Sequence, residues 1–235
     1  MNKIFARVRS SFILPNSSFR FGLAMLAAIF CAAIARAEEP TPKPVILMTG
    51  FEPFGGSSFN TSWDVVSTFD GQVISGHVIK TVRLKVVYDK IDGPLAEAIE
   101  KLKPVAVISF GEGTPEIHVE KIARNSYHPA KPPDNEGKAP PRDAIVPGGA
   151  QTIRSGLPAD AIVQKLNDAG IKAATSDDAG GYLCNECFYR LMAVKNAPAI
   201  RGFVHVPVVP PDKEEARKQL DDAVRIILKT VAENK

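Results

Sequence analysis

The sequence predicts a three-layer α/β/α domain on a mostly parallel, twisted sheet, and three observations carry that expectation. Val45 to Thr49 and Val105 to Phe110 are continuous apolar runs without polar alternation, the pattern of strands covered on both faces. Segments with helical spacing, such as Tyr88 to Leu102 and Ala159 to Ala169, lie between such runs. Strand-like and helix-like stretches alternate along most of the chain, which argues for crossover units rather than a sandwich.

The elements follow in order. Glu38 to Pro44 is rich in proline and charge and is expected to be a flexible lead-in. Val45 to Thr49 ends at Gly50, as a central strand would. Asn60 to Phe69 is a helix candidate with Asn60 or Ser62 as its cap. Val78 to Val87 is β-branched and partly alternating, and the helical pattern Tyr88 to Leu102 follows. After Val105 to Phe110, Ile117 to Ala123 is a further strand candidate. Tyr127 to Pro158 is dominated by prolines, glycines and charges and predicts a long excursion. Ala159 to Ala169 predicts a helix and Ala173 to Ser176 a short strand. Leu183, Cys187, Leu191 and Val194 then mark one face of a helix. Gly202 to Pro207 is a buried strand ending at a proline, and Asp212 to Ala232 is an amphipathic helix that covers the sheet. The domain is thus expected to span residues 45–235.

The first 37 residues have another character. They hold five basic residues and no acidic ones, and Lys3, Arg7, Arg9 and Arg20 precede the apolar run Phe21 to Ile34. That run is shorter than the roughly 20 residues a spanning helix needs. Ala35-Arg36-Ala37 fits a small-x-small cleavage site, so residues 1–37 predict a signal peptide and an exported protein, periplasmic or secreted, with no stable membrane anchor after cleavage. The whole chain has 29 basic and 26 acidic residues, a net +3. Removing the five basic residues of the leader leaves 24 against 26, a net −2. Without a basic patch interleaved with aromatics, a nucleic-acid partner is not indicated.

The chemistry concentrates in Ser176 to Tyr189, S-D-D-A-G-G-Y-L-C-N-E-C-F-Y. Cys184 follows a glycine turn and begins a helix. There the unpaired backbone N–H groups and the positive end of the dipole favour a thiolate. His205 stands in G-F-V-H-V-P at a strand end. A thiol at a helix start and a histidine at a strand end are two parts of a cysteine–histidine nucleophile. Cys184-Asn185-Glu186-Cys187 also admits a periplasmic thiol–disulfide function, with a late position in the chain against it. Zinc held by both cysteines and His205 is weaker, since there is one C-x-x-C and no second knuckle.

Several segments together resemble the pyroglutamyl peptidase I family, the pyrrolidone-carboxylate peptidases. I-L-M-T-G-F-E-P-F-G-G at Ile46 to Gly56 is similar to its opening signature, and A-G-G-Y-L-C-N at Ala179 to Asn185 to its nucleophile motif. G-F-V-H-V-P at Gly202 to Pro207 is similar to its histidine motif. Val119 to Asn125 and Pro133 to Gly137 are similar to its acidic segment. The resemblance implies a cysteine peptidase that releases an N-terminal pyroglutamyl residue through an acyl-enzyme. It implies Cys184 as nucleophile, His205 as general base and acid, and Glu120 as the carboxylate that orients the imidazole. It implies a lactam pocket with Phe51 and Phe54 as an aromatic pair, Leu183 in the wall, and Asn60 and Asp134 at supporting positions. Small peptides with N-terminal pyroglutamate are the implied substrates, a homo-oligomer the implied assembly, and no metal or cofactor is required.

Four positions depart from the family pattern. Glu112 stands near the place of a glutamine in a loop shortened by about two residues. Lys131 replaces an arginine and loses its planar fork of donors. Arg124 interrupts an apolar pattern, and Cys187 takes a usually apolar position one turn after Cys184. Glu112 and Lys131 open the reading of a descendant that keeps the pocket without turnover, and Cys187 that of a peptidase gated by a Cys184–Cys187 disulfide.

Overall fold

The computed structural model describes residues 42–234. The predicted signal peptide and most of the lead-in lie outside the described residues. Seven strands form one sheet in the order β2-β3-β1-β4-β9-β5-β8. Its centre is β1 (Val45–Phe51), parallel to β3 (His77–Leu84) on one side and to β4 (Ala106–Glu112) on the other. Next to β4, β9 (Ile200–Val206) is again parallel, with Gly111 opposite His205. The edges are β2 (Val73–Ile74), antiparallel to β3, and β8 (Ala173–Ser176), parallel to β5 (Ile117–Glu120).

The strand β5 runs antiparallel to β9. The reason is the length of its connection. Only residues 113–116 separate β5 from β4, too few for the dozen or more residues of a parallel crossover. The chain therefore turns over the end of β9 and comes back on its far side.

Central strands alternate by residue between two helical layers. Ile46, Met48, Ile108 and Phe110 pack with α1 (Thr61–Ser67), α3 (Ala159–Asp168) and α5 (Glu214–Glu233). Leu47 and Val107 pack with α2 (Asp92–Leu102) and with Leu191 of α4 (Leu183–Ala193). This two-sided burial produces the uninterrupted apolar runs. It also puts Thr49, Ser109 and Gly111 on the face of α4, two residues at a time from Leu47 and Val107.

Several expected boundaries shift, each for a visible cause. The helix expected from Tyr88 begins at Asp92. Ahead of it, the Tyr88 N–H donates to Asp134 Oδ2 at 2.9 Å, the Asp89 N–H donates to Glu186 Oε1 at 3.1 Å, and Asp89 has a φ of 61°. The preceding strand stops at Leu84 rather than Val87. The single strand expected over Ile117 to Ala123 breaks at Lys121, whose N–H bonds the Ser176 carbonyl. Its second half, β6 (Ile122–Arg124), leaves the main sheet and pairs antiparallel with β7 (Thr152–Arg154), which lies inside the predicted excursion. Asn125 pins that excursion, donating from Nδ2 to the Val146 carbonyl and accepting the Val146 N–H. Val194 is not on the helix face of Leu183, Cys187 and Leu191. It is the extended residue that ends α4. There, Arg201 donates to the carbonyls of Met192, Ala197 and Pro198, a cation at a helix C-terminus.

Candidate active site

Three adjacent interior strands, β4, β9 and β5, and the start of α4 bring the site's residues together. In the turn before α4, Gly180 and Gly181 have φ of 83° and 66°, and the Gly180 N–H is held by Asp178 Oδ1. A side chain on Gly181 would meet the His128 backbone and Cβ within about 3 Å, so glycine is required twice over there. Tyr182 is the N-cap and supplies no side-chain acceptor. The first N–H groups of α4 thus remain available beside Cys184, the second residue of the helix.

The sulfur of Cys184 lies over β4 at Gly111. A Cβ at Gly111 would stand 2.7 Å from Sγ and 2.8 Å from Phe203 Cζ. On β9, next to β4, the His205 ring packs against Phe203 with centroids 5.0 Å apart. The side chains of Cys184 and His205 are in hydrogen-bonding contact. His205 Nδ1 is 2.8 Å from Glu120 Oε1. His118 is directly opposite His205 across the antiparallel pair, so Glu120 reaches the imidazole as a diagonal neighbour. The antiparallel run of β5 is what presents this carboxylate.

Both partners are buried, His205 at 6% exposure and Glu120 at 1%. Burial alone pushes a histidine toward its neutral form. Here the Cys184 sulfur on one side and the Glu120 carboxylate on the other outweigh burial and raise His205 to about 10. The cationic form of the imidazole is therefore favoured between the Cys184 sulfur and the Glu120 carboxyl group. Glu120 Oε2 has no partner within the described residues.

Cys187 has a different environment. It is fully buried, and burial pushes its thiol up to about 12 even though Ser109 and Thr49 hydrogen-bond it. Both cysteines are free thiols. Three residues apart on one helix, they face different surroundings, one a cavity and the other the packed layer between α4 and the sheet.

A cavity of about 310 Å³ opens above Cys184 and His205. Phe51, Phe54 and Leu183 line it, as do Asn60, Glu112 and Lys131. Asn60 is at once the cap of α1: its Oδ1 accepts from Ser62 N and Oγ, and its Nδ2 donates to the Glu52 carbonyl. Glu112 Oε2 accepts the Thr61 N–H at 2.6 Å. Lys131 Nζ hangs over Gly180, 3.6 Å from where a Cβ on that residue would be. Asp134 stands outside the lining. Its carboxylate accepts the N–H groups of Tyr88, Glu136 and Lys138, and so folds the strap that carries Lys131. Arg124 points away from the apolar layer and donates to the Asp177 carbonyl.

Three contributors escaped the sequence reading. Tyr182 lines the cavity, meets Phe54 at 6.1 Å between rings, and donates its hydroxyl to the Pro133 carbonyl. Asn185, buried beside Cys184, accepts the Arg124 N–H and donates to the Arg124 and Ser126 carbonyls. An amide on an otherwise apolar helix face was the available signal. Gly111 is the third, and a lone glycine in a strand marks a close approach without naming its partner.

A partly exposed thiol at a helix start, a buried cationic imidazole and a cavity above them, on an α/β fold, define an enzyme of the cysteine-peptidase class. Comparison narrows this class. The sequence model of a family described as pyroglutamyl peptidase matches residues 44–230. A pyrrolidone-carboxylate peptidase from Klebsiella pneumoniae (strain 342) is 37% identical over 205 residues, 81% of this chain and 95% of the relative. Another, from Gloeobacter violaceus, is 40% identical over 169 residues, 70% of this chain and 82% of the relative. Among solved structures, pyroglutamyl peptidase I from Bacillus amyloliquefaciens superposes with a TM-score of 0.75 at 33% identity, covering 81% of this chain and 97% of that one. A single-substitution variant of pyrrolidone carboxyl peptidase from Pyrococcus furiosus gives 0.75 at 34% identity, with 81% and 99% coverage. The chain belongs to the pyroglutamyl peptidase family and is a cysteine-type pyroglutamyl peptidase.

Proposed function

We propose that Cys184, His205 and Glu120 release pyroglutamate from the N-termini of small peptides by way of an acyl-enzyme, in an exported protein. The observation that carries the triad is the unbroken chain of contacts Cys184–His205–Glu120 at the floor of the cavity. Phe51, Phe54 and Leu183 give the uncharged ring an apolar slot, and Asn60 and Lys131 border it. The Cys184 thiolate attacks the carbonyl that joins pyroglutamate to the next residue. The uncapped N–H groups of the first turn of α4 stabilise the oxyanion. Cationic His205 then gives its proton to the leaving amine while Glu120 keeps the ring oriented. Water gives a proton to the neutral imidazole as it attacks the thioester, and collapse breaks the C–S bond, expels the Cys184 thiolate and frees pyroglutamate with the starting protonation restored.

The site needs no metal for these steps, and the Cys187 thiol, bonded to Ser109 and Thr49 and raised by burial, is poorly suited to thiol–disulfide exchange. Export rests on the basic, apolar, small-residue sequence of residues 1–37. Self-association is proposed by analogy with the family.

The test is release of a fluorescent amine from its pyroglutamyl amide by residues 38–235, beside Cys184→Ala, with acid quenching to trap a pyroglutamyl thioester on Cys184. Turnover by the wild type, its loss in the variant and a trapped adduct are expected. Turnover that survives Cys184→Ala overturns the triad. Fractionation with N-terminal sequencing tests export, the expected first residue being Glu38. Size-exclusion chromatography with light scattering tests assembly.

A further inference from the structure

We propose that Glu186 is a positioning residue for the reaction: with Arg190 it clasps the loop before α2 to the nucleophile helix, and so fixes the cavity wall at its working distance from Cys184. The inference rests on the peptidase reading and deepens it. Glu186 stands two residues after Cys184 and is fully buried, a rare place for a carboxyl group. The steps of the reaction give it no task.

Its hydrogen bonds converge on one loop residue. Oε1 accepts the Asp89 N–H at 3.1 Å and Arg190 Nε at 2.7 Å. Arg190, one turn further along α4, donates from Nη2 to Asp89 Oδ1 at 2.6 Å. Two side chains of α4 thus hold Asp89 by its backbone and by its carboxylate. Asp89 needs holding, because its φ of 61° is a left-handed conformation that is costly for a residue with a side chain. Among the described residues, these two bonds to Asp89 are the hydrogen bonds that join α4 to residues 85–91.

The held loop carries the far wall of the cavity. Val86 is part of the lining. Its N–H donates to Glu52 Oε1 at 3.0 Å, and its carbonyl accepts the Asn135 N–H at 2.9 Å. Asn135 also donates from Nδ2 to Glu52 Oε1 and to the Pro53 carbonyl, just before Phe54. The Tyr88 N–H donates to Asp134, which folds the strap of Lys131 and Pro132. Residues 86–89 are therefore the hub on which Val86, Phe54 and the strap hang. Glu186 and Arg190 tie that hub to the helix that carries the nucleophile.

Stability alone does not account for Glu186. Its Oε2 is buried with no partner among the described residues, as are the hydroxyls of Tyr88 and Tyr127. Both hydroxyls are pushed up, by burial first and by Glu186 among other groups, so the carboxyl group sits close to them. A buried, half-satisfied carboxyl group is costly, and an apolar side chain of similar volume would pack there without that cost. The apolar side chain could not accept the Asp89 N–H.

The test sets two rates side by side. One is kcat/KM for the pyroglutamyl amide of a fluorescent amine, which needs the wall. The other is alkylation of Cys184 by iodoacetamide, which does not. Cys187, fully buried and with its thiol pushed up to about 12, does not compete for the reagent. Glu186→Ala is expected to lower kcat/KM about 10- to 100-fold, the scale of a misplacement near 1 Å, with alkylation within about threefold of wild type. Glu186→Gln keeps an acceptor for the Asp89 N–H and is expected to recover about 3- to 10-fold over the alanine variant, the range of a neutral hydrogen bond. An alanine variant within about threefold of wild type in kcat/KM overturns the proposal, and so does a glutamine variant no better than alanine. A parallel fall in both rates also overturns it, because the effect then lies at the thiol or in folding. If the alanine variant does not fold, Asp89→Gly decides. Glycine keeps the left-handed turn and removes only the carboxylate that Arg190 holds. Its kcat/KM is expected to fall at least about threefold with alkylation unchanged, and an unchanged kcat/KM overturns the proposal. Failure of the wild type to cleave the amide, while iodoacetamide still modifies Cys184, removes the peptidase reading itself, and with it this one.

Discussion

Replacing Glu120 by Gln isolates charge from geometry at the buried end of the site. The amide oxygen can still accept from His205 Nδ1, where the wild-type distance is 2.8 Å, so packing is nearly preserved. What goes is the negative charge that, together with the Cys184 sulfur, overcomes burial and raises His205 to about 10. A hydrogen bond to a charged group is worth about 1.5–3 kcal/mol and a neutral one about 0.5–1.5. The difference, about 1–2 kcal/mol, lowers the His205 pKa by roughly one unit. The sign follows from linkage. A histidine raised in the folded state contributes stability fully below its unfolded value of 6.5, and that stability is lost as pH rises through about 10. The variant should therefore be less stable than wild type by about 1–2 kcal/mol below pH 6.5, and the gap should close toward pH 10. Its kcat/KM on a pyroglutamyl amide should fall about 10- to 100-fold, with the alkaline limb displaced to lower pH. The assay is a pH–rate profile from about pH 5 to about pH 10 beside thermal unfolding at the same pH values. An unmoved alkaline limb at wild-type rate would refute the coupling of Glu120 to the imidazole.

Further substitutions probe what holds the nucleophile. Gly111→Ala sets a methyl carbon 2.7 Å from Cys184 Sγ and 2.8 Å from Phe203, so the sulfur or the ring must move. A shift near 1 Å at the reacting atom should cost about 100-fold in kcat, with about 1–3 kcal/mol lost from overpacking. A crystal structure and a single-turnover rate would check it, and unchanged turnover would place the sulfur elsewhere. Asn185→Ala removes three partly buried hydrogen bonds to Arg124 and Ser126 and should cost about 2–3 kcal/mol by urea unfolding. Cys187→Ala leaves a small void between α4 and the sheet and should lower stability by about 1 kcal/mol. Its turnover in the absence of reductant should match wild type, and a gain in activity confined to the variant would revive a Cys184–Cys187 disulfide switch.

Legibility in the sequence follows burial and locality. Ile46-Leu47-Met48 and Val107-Ile108 are apolar because helices cover both faces of β1 and β4, so the strands could be read directly. Cys184 and His205 could be read because each stands where a local pattern changes, at a glycine turn and at a strand ending in proline. Glu120 was readable only through resemblance. Its role depends on β5 running antiparallel beside β9, a consequence of the short connection over residues 113–116 and not of anything Glu120 or its neighbours display. The same holds for Asp134 and Tyr88. In the sequence the pattern Tyr88 to Leu102 has helical period throughout, yet one bond from a carboxylate 46 residues away takes Tyr88 out of the helix. Gly111 is the sharpest instance, since its need for no side chain is set by a sulfur 73 residues later in the chain. Glu112 joins the two kinds of information. As a sequence symbol it is a charge beside a neutral substrate, which argues against binding. In the fold its Oε2 accepts the Thr61 N–H, so the same carboxylate ties the end of β4 to the first turn of α1 beside the cavity.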